Sequence, residues 1–154
     1  MPKLYLVCGF LGAGKTTISK KLAMEFRAEH INVDEWCMRL HTPEEYEADW
    51  ENCFAKTINI IWENISQKAA NQKSIILDMG FWDKKSRDLA RQKAVEFGMN
   101  TQLYYIYAPD EILKQRISLR KGKIAKHNLN NFDNIKKLFQ EPSYDEPHIK
   151  INNY

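Results

Sequence analysis

The chain has 154 residues, 44% of them hydrophobic and 28% charged, with a formal net charge of +3. This length fits one domain over residues 1–154, and the composition is ordinary for a globular protein. No apolar stretch approaches the ~18–20 residues that cross a bilayer, and the start carries no signal-peptide pattern. Three cysteines without a Cys-x-x-Cys pair argue against a disulfide framework and a cysteine zinc site. We therefore expect a reducing, cytoplasmic setting and no membrane partner.

A phosphate-binding motif stands near the start of the chain. Residues 9–16 read Gly-Phe-Leu-Gly-Ala-Gly-Lys-Thr and match the pattern Gly-x4-Gly-Lys-[Ser/Thr]. An apolar run at residues 3–8 predicts a strand before the motif, and residues 16–27 predict a helix after it. In this order, loop N–H groups and the helix N-terminus surround an anion. The predicted nucleotide contacts are Gly9, Gly12, Ala13, Gly14, Lys15, Thr16 and Thr17.

Three side chains of this loop have distinct expected partners. Lys15 is expected to reach the β- and γ-phosphates, and Thr16 to ligate Mg²⁺. The hydroxyl of Thr17 is a candidate donor to the α-phosphate. The motif therefore predicts both a nucleotide and a metal ion at one place.

The rest of the chain alternates predicted strands with predicted helices. Further strands are predicted at residues 30–33, 74–78, 102–107 and 148–151. Helices are predicted from Pro43 to about residue 70, with a break near Asn52, and at residues 84–97, 109–119 and 132–139. This alternation predicts a parallel sheet with helices on both faces and ligands at the carboxyl ends of its strands.

Asp34 is the main candidate for chemistry, because it follows the second predicted strand. A carboxylate at that edge can accept the proton of an attacking hydroxyl or hold it in line with the γ-phosphate. The alternative is a helix N-cap, a position that aspartate favours. Glu35 is the second candidate for the same role, and with Trp36 it is expected to line a substrate wall.

Asp78 ends the apolar run at residues 74–78, as a Walker B acid does. Its expected role is to orient Mg²⁺ near Thr16 through water, whereas the alternative is a cap or turn before Gly80. The next residue is Met79 rather than a second acid. This argues against a hydrolytic or motor protein, which usually has a water-activating glutamate there.

Charge is distributed unevenly along the chain. Seven acids and one base lie within residues 34–55, whereas residues 112–132 hold six bases and no acid. Arg116 and Arg120 share a helical face, and the basic segment that follows predicts a mobile lid at about residues 120–131 that brings arginine to the phosphates. A basic helix end and a nucleic-acid surface are the alternatives.

Together these motifs resemble the small P-loop kinases of the AAA_33 type. That group is similar to zeta-toxin-like kinases, kinase domains of polynucleotide kinase and chloramphenicol phosphotransferase. The matching segments are residues 9–17, Asp34-Glu35, residues 75–81, Arg87, residues 105–120, residues 139–142 and Glu146.

The resemblance implies a three-layer α/β P-loop NTPase fold whose five-stranded parallel sheet has the order 2-3-1-4-5. It also implies ATP with Mg²⁺ and phosphate transfer to a hydroxyl. By position, Asp34 is the base, Arg120 the lid residue on the phosphates, and Arg116 a neighbour of the adenine. Arg87 is a candidate substrate or phosphate contact, with a solvated helix position as the alternative.

The acceptor is open at this point. The acidic segment after Asp34 also carries tryptophans, which can stack on rings but equally pack helices on a sheet. A negative wall favours a neutral or cationic hydroxylated small molecule. The alternatives are a 5′-hydroxyl nucleic-acid kinase and a non-catalytic ATP-binding switch or partner-binding module.

Overall fold

The computed structural model describes residues 1–154, with five strands and eight helices. The strands are β1 (Lys3–Cys8), β2 (Glu29–Asn32), β3 (Ile75–Gly80), β4 (Asn100–Tyr107) and β5 (Ile149–Asn152). The helices are α1 (Lys15–Phe26), α2 (Val33–Leu40), α3 (Pro43–Ala48), α4 (Trp50–Ala70), α5 (Lys84–Glu96), α6 (Asp110–Ser118), α7 (Lys123–Asn130) and α8 (Phe132–Lys136).

All five strands form one parallel sheet in the order β2-β3-β1-β4-β5, which confirms the predicted order 2-3-1-4-5. Successive side chains of a strand point to opposite faces, so each buried strand supplies two cores. Leu4 and Leu6 of β1 belong to one core cluster, and Tyr5 and Val7 belong to the other. The apolar run at the start of the chain is thus a central strand buried on both faces.

Helices cover both faces of this sheet and make it the middle of three layers. Residues of α2, α4 and α5 pack into the first cluster, for example Cys37, Ile61 and Ala90. Residues of α1 and α6, such as Leu22 and Leu113, pack into the second. The three cysteines are buried and unpaired. No helix combines the length and hydropathy that crossing a bilayer requires.

Three local elements differ from the sequence-based expectation. Helix α2 begins at Val33, directly after β2, so Asp34 lies in a first helical turn rather than at a strand tip. The break in the next helix falls at Asp49 instead of near Asn52, because the Asp49 carboxylate caps α4 by accepting the Asn52 N–H. Residues 123–130, within the segment predicted as a lid, form helix α7 with a single buried residue, Ala125.

Candidate functional site

A cleft of about 380 Å³ opens at the carboxyl edge of the sheet. It lies where the loop after β1, the start of α2 and the stretch after β3 meet, with one residue from α4 and one that follows α6. Its lining residues are Leu11, Gly12, Gly14, Lys15, Thr16, Thr17, Val33, Asp34, Phe54, Asp78, Met79, Gly80, Trp82 and Arg120. The structure therefore brings Asp34, Asp78 and Arg120 to the P-loop, as the sequence predicted.

The P-loop, residues 9–17, depends on glycine at two close approaches. A Cβ at Gly9 would lie 2.8 Å from the carbonyl oxygen of Ile106. Gly14 has a φ of 89° and is the N-cap of α1, with no side chain to occupy the first N–H groups of that helix. These N–H groups and the positive end of α1 are therefore available to an anion.

Lys15 lies in the cleft with its charge only partly balanced. Its Nζ donates a hydrogen bond to the carbonyl oxygen of Phe10 at 3.1 Å. Burial lowers the pKa of Lys15, and the carboxylate of Asp78 acts in the opposite direction. A phosphate group would supply the anionic partner that this ammonium lacks.

Asp78 is held by polar neighbours from two elements. Its Oδ2 accepts from the Thr16 hydroxyl at 3.1 Å and from Asn32 Nδ2 at 3.0 Å, and His30 Nε2 lies 3.7 Å away. Burial raises the pKa of Asp78, but His30, Asn32 and Lys15 outweigh it and hold that pKa below its ordinary value. The carboxylate is therefore ionised at neutral pH.

The oxygens of Thr16 and Asp78 fit Mg²⁺. Hard oxygen donors suit this ion, which usually takes one or two protein oxygens and completes its shell with water and phosphate. The molecule contains no group of three or more His, Cys, Asp or Glu side chains that would hold a metal ion alone. Thr16 and Asp78, beside the P-loop, provide two protein oxygens for such an ion, and phosphate and water would complete its coordination shell.

Asp34 faces the cleft without a structural task. The cap of α2 is Asn32, whose Oδ1 accepts the Glu35 N–H at 2.9 Å, so Asp34 is not the N-cap that the sequence left open. Although Asp34 is exposed on α2, partial desolvation in the cleft raises its pKa, Asp78 raises it further, and Lys15 lowers it. The outcome is a carboxylate with a greater proton affinity than an ordinary aspartate.

Arg116 and Asn153 support the P-loop from the side away from the cleft. Arg116 Nη1 donates to the carbonyl oxygens of Gly12, at 3.1 Å, and Ala13, at 3.3 Å, and Nη2 donates to the Asn153 carbonyl. Asn153 Nδ2 donates to the Ala13 carbonyl at 2.8 Å. Three of the five N–H groups of Arg116 are thus taken by backbone carbonyls, so its main contacts are with the P-loop and the chain end.

A comparison with protein-family models identifies the family. Residues 4–142 match AAA_33, described as an AAA domain. The chain belongs to the AAA_33 family. No curated protein sequence matches it.

Solved structures share the fold of this AAA_33 domain at low sequence identity. A sugar kinase from Janibacter sp. HTCC2649 has a TM-score of 0.69 and 21% identity, covering 99% of this chain and 86% of that one. A gluconokinase from Sinorhizobium meliloti 1021 has a TM-score of 0.70 and 15% identity, covering 98% of this chain and 82% of that one. Kti12 from Chaetomium thermophilum, in complex with ADP-AlF3, has a TM-score of 0.67 and 15% identity, covering 97% of this chain and 88% of that one.

The structure of this AAA_33 domain corrects the expectation for Arg87. Arg87 is 1% exposed, and its Nε and Nη2 bind the buried carboxylate of Glu146 at 2.8 and 3.0 Å. Its Nη1 donates to the carbonyls of Phe81 and Gln140. Since it is buried and four of its five N–H groups are bonded within the protein, Arg87 is neither a substrate contact nor a solvated helix residue. It ties α5 to the segment before β5.

Two further predicted substrate residues do not line the cleft. Trp36 packs against the first core cluster, because its helix position turns it toward the sheet. Glu35 is exposed in the first turn of α2. The acids expected to form a negative wall also face solvent outside the cleft, and these are Glu44, Glu45, Glu47, Asp49 and Glu51.

Sequence reasoning missed several residues of the site, among them Asn32, Trp82, Phe54 and Asn153. Asn32 carried a usable signal, since it is a polar residue at the carboxyl end of a buried strand. Trp82 follows Asp78 closely enough to be placed near it. Phe54, one apolar residue of a long helix, and Asn153, near the end of the chain, carried no local signal, because only the fold brings them to the cleft and to the P-loop.

Proposed function

We propose that this protein is an ATP-dependent kinase that transfers the γ-phosphate of ATP to a hydroxyl of a small molecule. The observation that carries this proposal is Asp34, a carboxylate of raised pKa that shares the cleft with Lys15 and caps no helix. The shared fold with a sugar kinase and a gluconokinase supports it.

In this proposal the P-loop holds the phosphates of ATP. Its N–H groups and the N-terminus of α1 bind phosphate oxygens, and Lys15 Nζ leaves the Phe10 carbonyl to bind the β- and γ-phosphates. Arg120, on the rim of the cleft, stabilises the charge that develops as the γ-phosphoryl group moves.

Thr16 and Asp78 would hold Mg²⁺ beside these phosphates. The ion would neutralise charge on the phosphate oxygens. Asn32 fixes the orientation of the Asp78 carboxylate by its hydrogen bond. Orientation of a ligating carboxylate by a neighbouring donor is a common feature of metal sites.

Asp34 acts on the acceptor. The acceptor oxygen forms a bond to the γ-phosphorus, the bond from that phosphorus to the β–γ bridging oxygen breaks, and the hydroxyl proton goes to the Asp34 carboxylate. Because the pKa of Asp34 is raised toward neutral pH, the carboxylate is a stronger base than an ordinary aspartate, which favours this proton transfer. Met79 follows Asp78, so the end of β3 places no second carboxylate directly after Asp78 to activate water.

Residues 120–131, with helix α7, form the lid in this proposal. A single residue of α7 is buried, and Ile124 is 79% exposed, so this helix is held by few contacts. Closure over ATP would protect residues 121–130 from protease when a non-hydrolysable ATP analogue binds. Equal cleavage with and without the analogue would contradict the lid.

The deciding experiment incubates the protein and a metabolite extract with ATP labelled at the γ-phosphate, followed by mass spectrometry. A labelled phosphoester that forms with the native protein and not with Asp34→Asn supports a small-molecule kinase. A 5′-hydroxyl oligonucleotide is assayed in parallel, and efficient labelling of it would reassign the acceptor to nucleic-acid ends. ATP binding without transfer to any acceptor would favour a non-catalytic switch.

A further inference from the structure

The part of the cleft beyond the phosphate loop has a composition of its own. We call it the acceptor pocket, and its residues are Val33, Asp34, Phe54, Met79, Gly80 and Trp82. They come from α2, from α4 and from the end of β3 with the stretch that follows. Five of the six are apolar or glycine, and Asp34 is the one side chain among them with a charge.

The acceptor pocket contains no basic residue. The basic residues of the cleft are Lys15 and Arg120, and in the proposed kinase the phosphates of ATP would engage both. An acidic acceptor would leave its carboxylate or phosphate unpaired on entering this pocket, which is costly. Asp34, the one carboxylate of the pocket, would also repel it. The pocket therefore selects against anionic alcohols.

Trp82 forms a preorganised aromatic wall of the pocket. Its ring lies 5.0 Å from the ring of Phe10 and 6.2 Å, edge-on, from that of Phe139. Its carbonyl accepts the Gln140 N–H at 2.6 Å. The indole edge also lies against Gly80, where a Cβ would approach Cδ1 to 3.3 Å. The ring is held from several sides, so a ligand that stacks on it would not have to order it.

The indole of Trp82 retains capacity for a ligand. The residue is partly exposed, and its Nε1–H makes no hydrogen bond within the protein. Phe54, half-buried on α4, adds a second aromatic surface to the pocket. Aromatic rings pack well against ring faces, with a gain of about 0.5–1.5 kcal/mol beyond burial.

We propose that the acceptor is an uncharged alcohol carrying an aromatic or otherwise apolar ring. The ring packs on Trp82 and Phe54, and the hydroxyl meets the carboxylate of Asp34. This assignment rests on the proposed kinase function and narrows its substrate class. The cleft of about 380 Å³, shared with the transferred phosphoryl group, suits a small ring compound.

Three probe alcohols test the charge argument, since they share one ring and one primary hydroxyl. They are benzyl alcohol, 4-(hydroxymethyl)benzoate and 4-(aminomethyl)benzyl alcohol. Binding is measured by saturation-transfer NMR with a non-hydrolysable MgATP analogue, and transfer is measured with MgATP by mass spectrometry. We expect benzyl alcohol to bind best and the benzoate at least about tenfold more weakly, equivalent to ~1.4 kcal/mol.

Two variants test the aromatic wall. Trp82→Leu and Phe54→Leu are each expected to raise the KM for benzyl alcohol about two- to tenfold, from the stacking contribution alone, with MgATP affinity unchanged. Trp50→Leu is the matched control, because Trp50 is 54% exposed and lies outside the cleft. Equal effects of Trp82→Leu and Trp50→Leu would overturn the role of the wall.

The remaining outcomes separate this assignment from the kinase proposal. Equal binding of the three probes, preference for the benzoate or the ammonium compound, or no binding of any probe overturns the substrate class. Transfer to an anionic alcohol such as gluconate would support the kinase function but refute the proposed class of uncharged acceptors. The absence of transfer to every acceptor, with MgATP bound, would refute the kinase itself.

Discussion

The two ends of the cleft are built in different ways. The phosphate end comes from one continuous segment, residues 9–17, and in the proposed function it binds mainly through backbone N–H groups whose direction the loop fixes. The acceptor end comes from side chains of separate elements, with Asp34 on α2, Phe54 on α4 and Trp82 after β3. A local motif therefore identifies the first end, whereas the second exists only once the chain has folded.

The largest expected effect is at the phosphate end. Lys15→Ala removes the ammonium that serves the phosphates and no core packing, so we expect MgATP binding to be lost and the fold to be kept. Thermal stabilisation by MgATP measures this. Lys20→Ala, at an exposed position of the same helix, is the control and is expected to behave as the native protein. Stabilisation of the Lys15→Ala variant by MgATP would refute the phosphate assignment.

Asp34→Asn tests the acceptor end with the next largest effect. The amide keeps the shape of the side chain and loses its basicity, so turnover should fall about 10²–10⁴-fold while MgATP binding stays nearly unchanged. Steady-state kinetics and calorimetry separate the two quantities. Native turnover in the variant, or a large loss of stability, would return Asp34 to a structural role.

The pH dependence provides a second reading of Asp34. Because its pKa in the folded protein is raised above 3.8, the deprotonated base is lost at a higher pH than for an ordinary aspartate. We expect the acidic limb of kcat/KM to lie above pH 3.8 and to disappear in Asp34→Asn. Its stabilising contribution is full below the ordinary pKa and declines as pH rises through the raised one. Removing this titration should therefore improve stability at neutral pH slightly.

The same contrast explains what the sequence predicted well. The P-loop and the strand order followed from motifs and from the alternation of strands and helices, and Asp78 lies near the end of β3, where a parallel sheet places ligands. Asp34 also reaches the cleft, but from the first turn of α2. Arg87 was placed wrongly, because the sequence does not reveal that Glu146, 59 positions later, neutralises it in the core.

The acidic segment was misplaced for a related reason. The segment is acidic as predicted, but the positions of these acids on α3 and at the start of α4, with the turn at Asp49 between the two helices, direct their side chains to solvent. An anionic acceptor is disfavoured instead by the absence of bases from the acceptor pocket, which no local sequence pattern showed.

Glu146→Gln is expected to destabilise the acceptor end and the whole fold. The Glu146 carboxylate is 3% exposed and pairs with Arg87, whose Nη1 also donates to the Phe81 carbonyl at 2.8 Å, beside Trp82. Leaving Arg87 buried without its partner should cost about 3–5 kcal/mol of unfolding free energy. Denaturant unfolding measures this loss.

The control for that change is Asp88→Asn. The Asp88 side chain is 49% exposed and pairs with Lys84 and Arg91, so we expect a loss below about 1 kcal/mol. Burial raises the pKa of Glu146, but hydrogen bonds from Arg87 and Arg91 outweigh it and hold that pKa below 4.5. The contribution of the Glu146 carboxylate to folding stability is therefore present above pH 4.5 and is lost as pH falls through the lowered pKa. Equal losses in the two variants would refute a special role for the buried pair.

The smallest expected effect concerns the support of the P-loop. Since loop N–H groups face the phosphates, loop carbonyls on the opposite side need donors, and Asn153 supplies one to Ala13. The side-chain amide of Asn153 also occupies space that a Cβ at Gly14 would fill. Asn153→Ala removes one hydrogen bond, worth about 1 kcal/mol, so MgATP affinity should fall about fivefold while acceptor KM stays unchanged.

Calorimetric titration with MgATP and acceptor kinetics test that split between the two ends. Asn152→Ala, at the exposed neighbouring position, is the control and is expected to leave both quantities unchanged. Unchanged MgATP affinity in Asn153→Ala would show that Arg116, with its bonds to Gly12 and Ala13, holds the loop without help. An equal change in acceptor KM would show that the two ends of the cleft are coupled. A loosened P-loop backbone would then also displace the acceptor-pocket side chains, which are anchored on other elements.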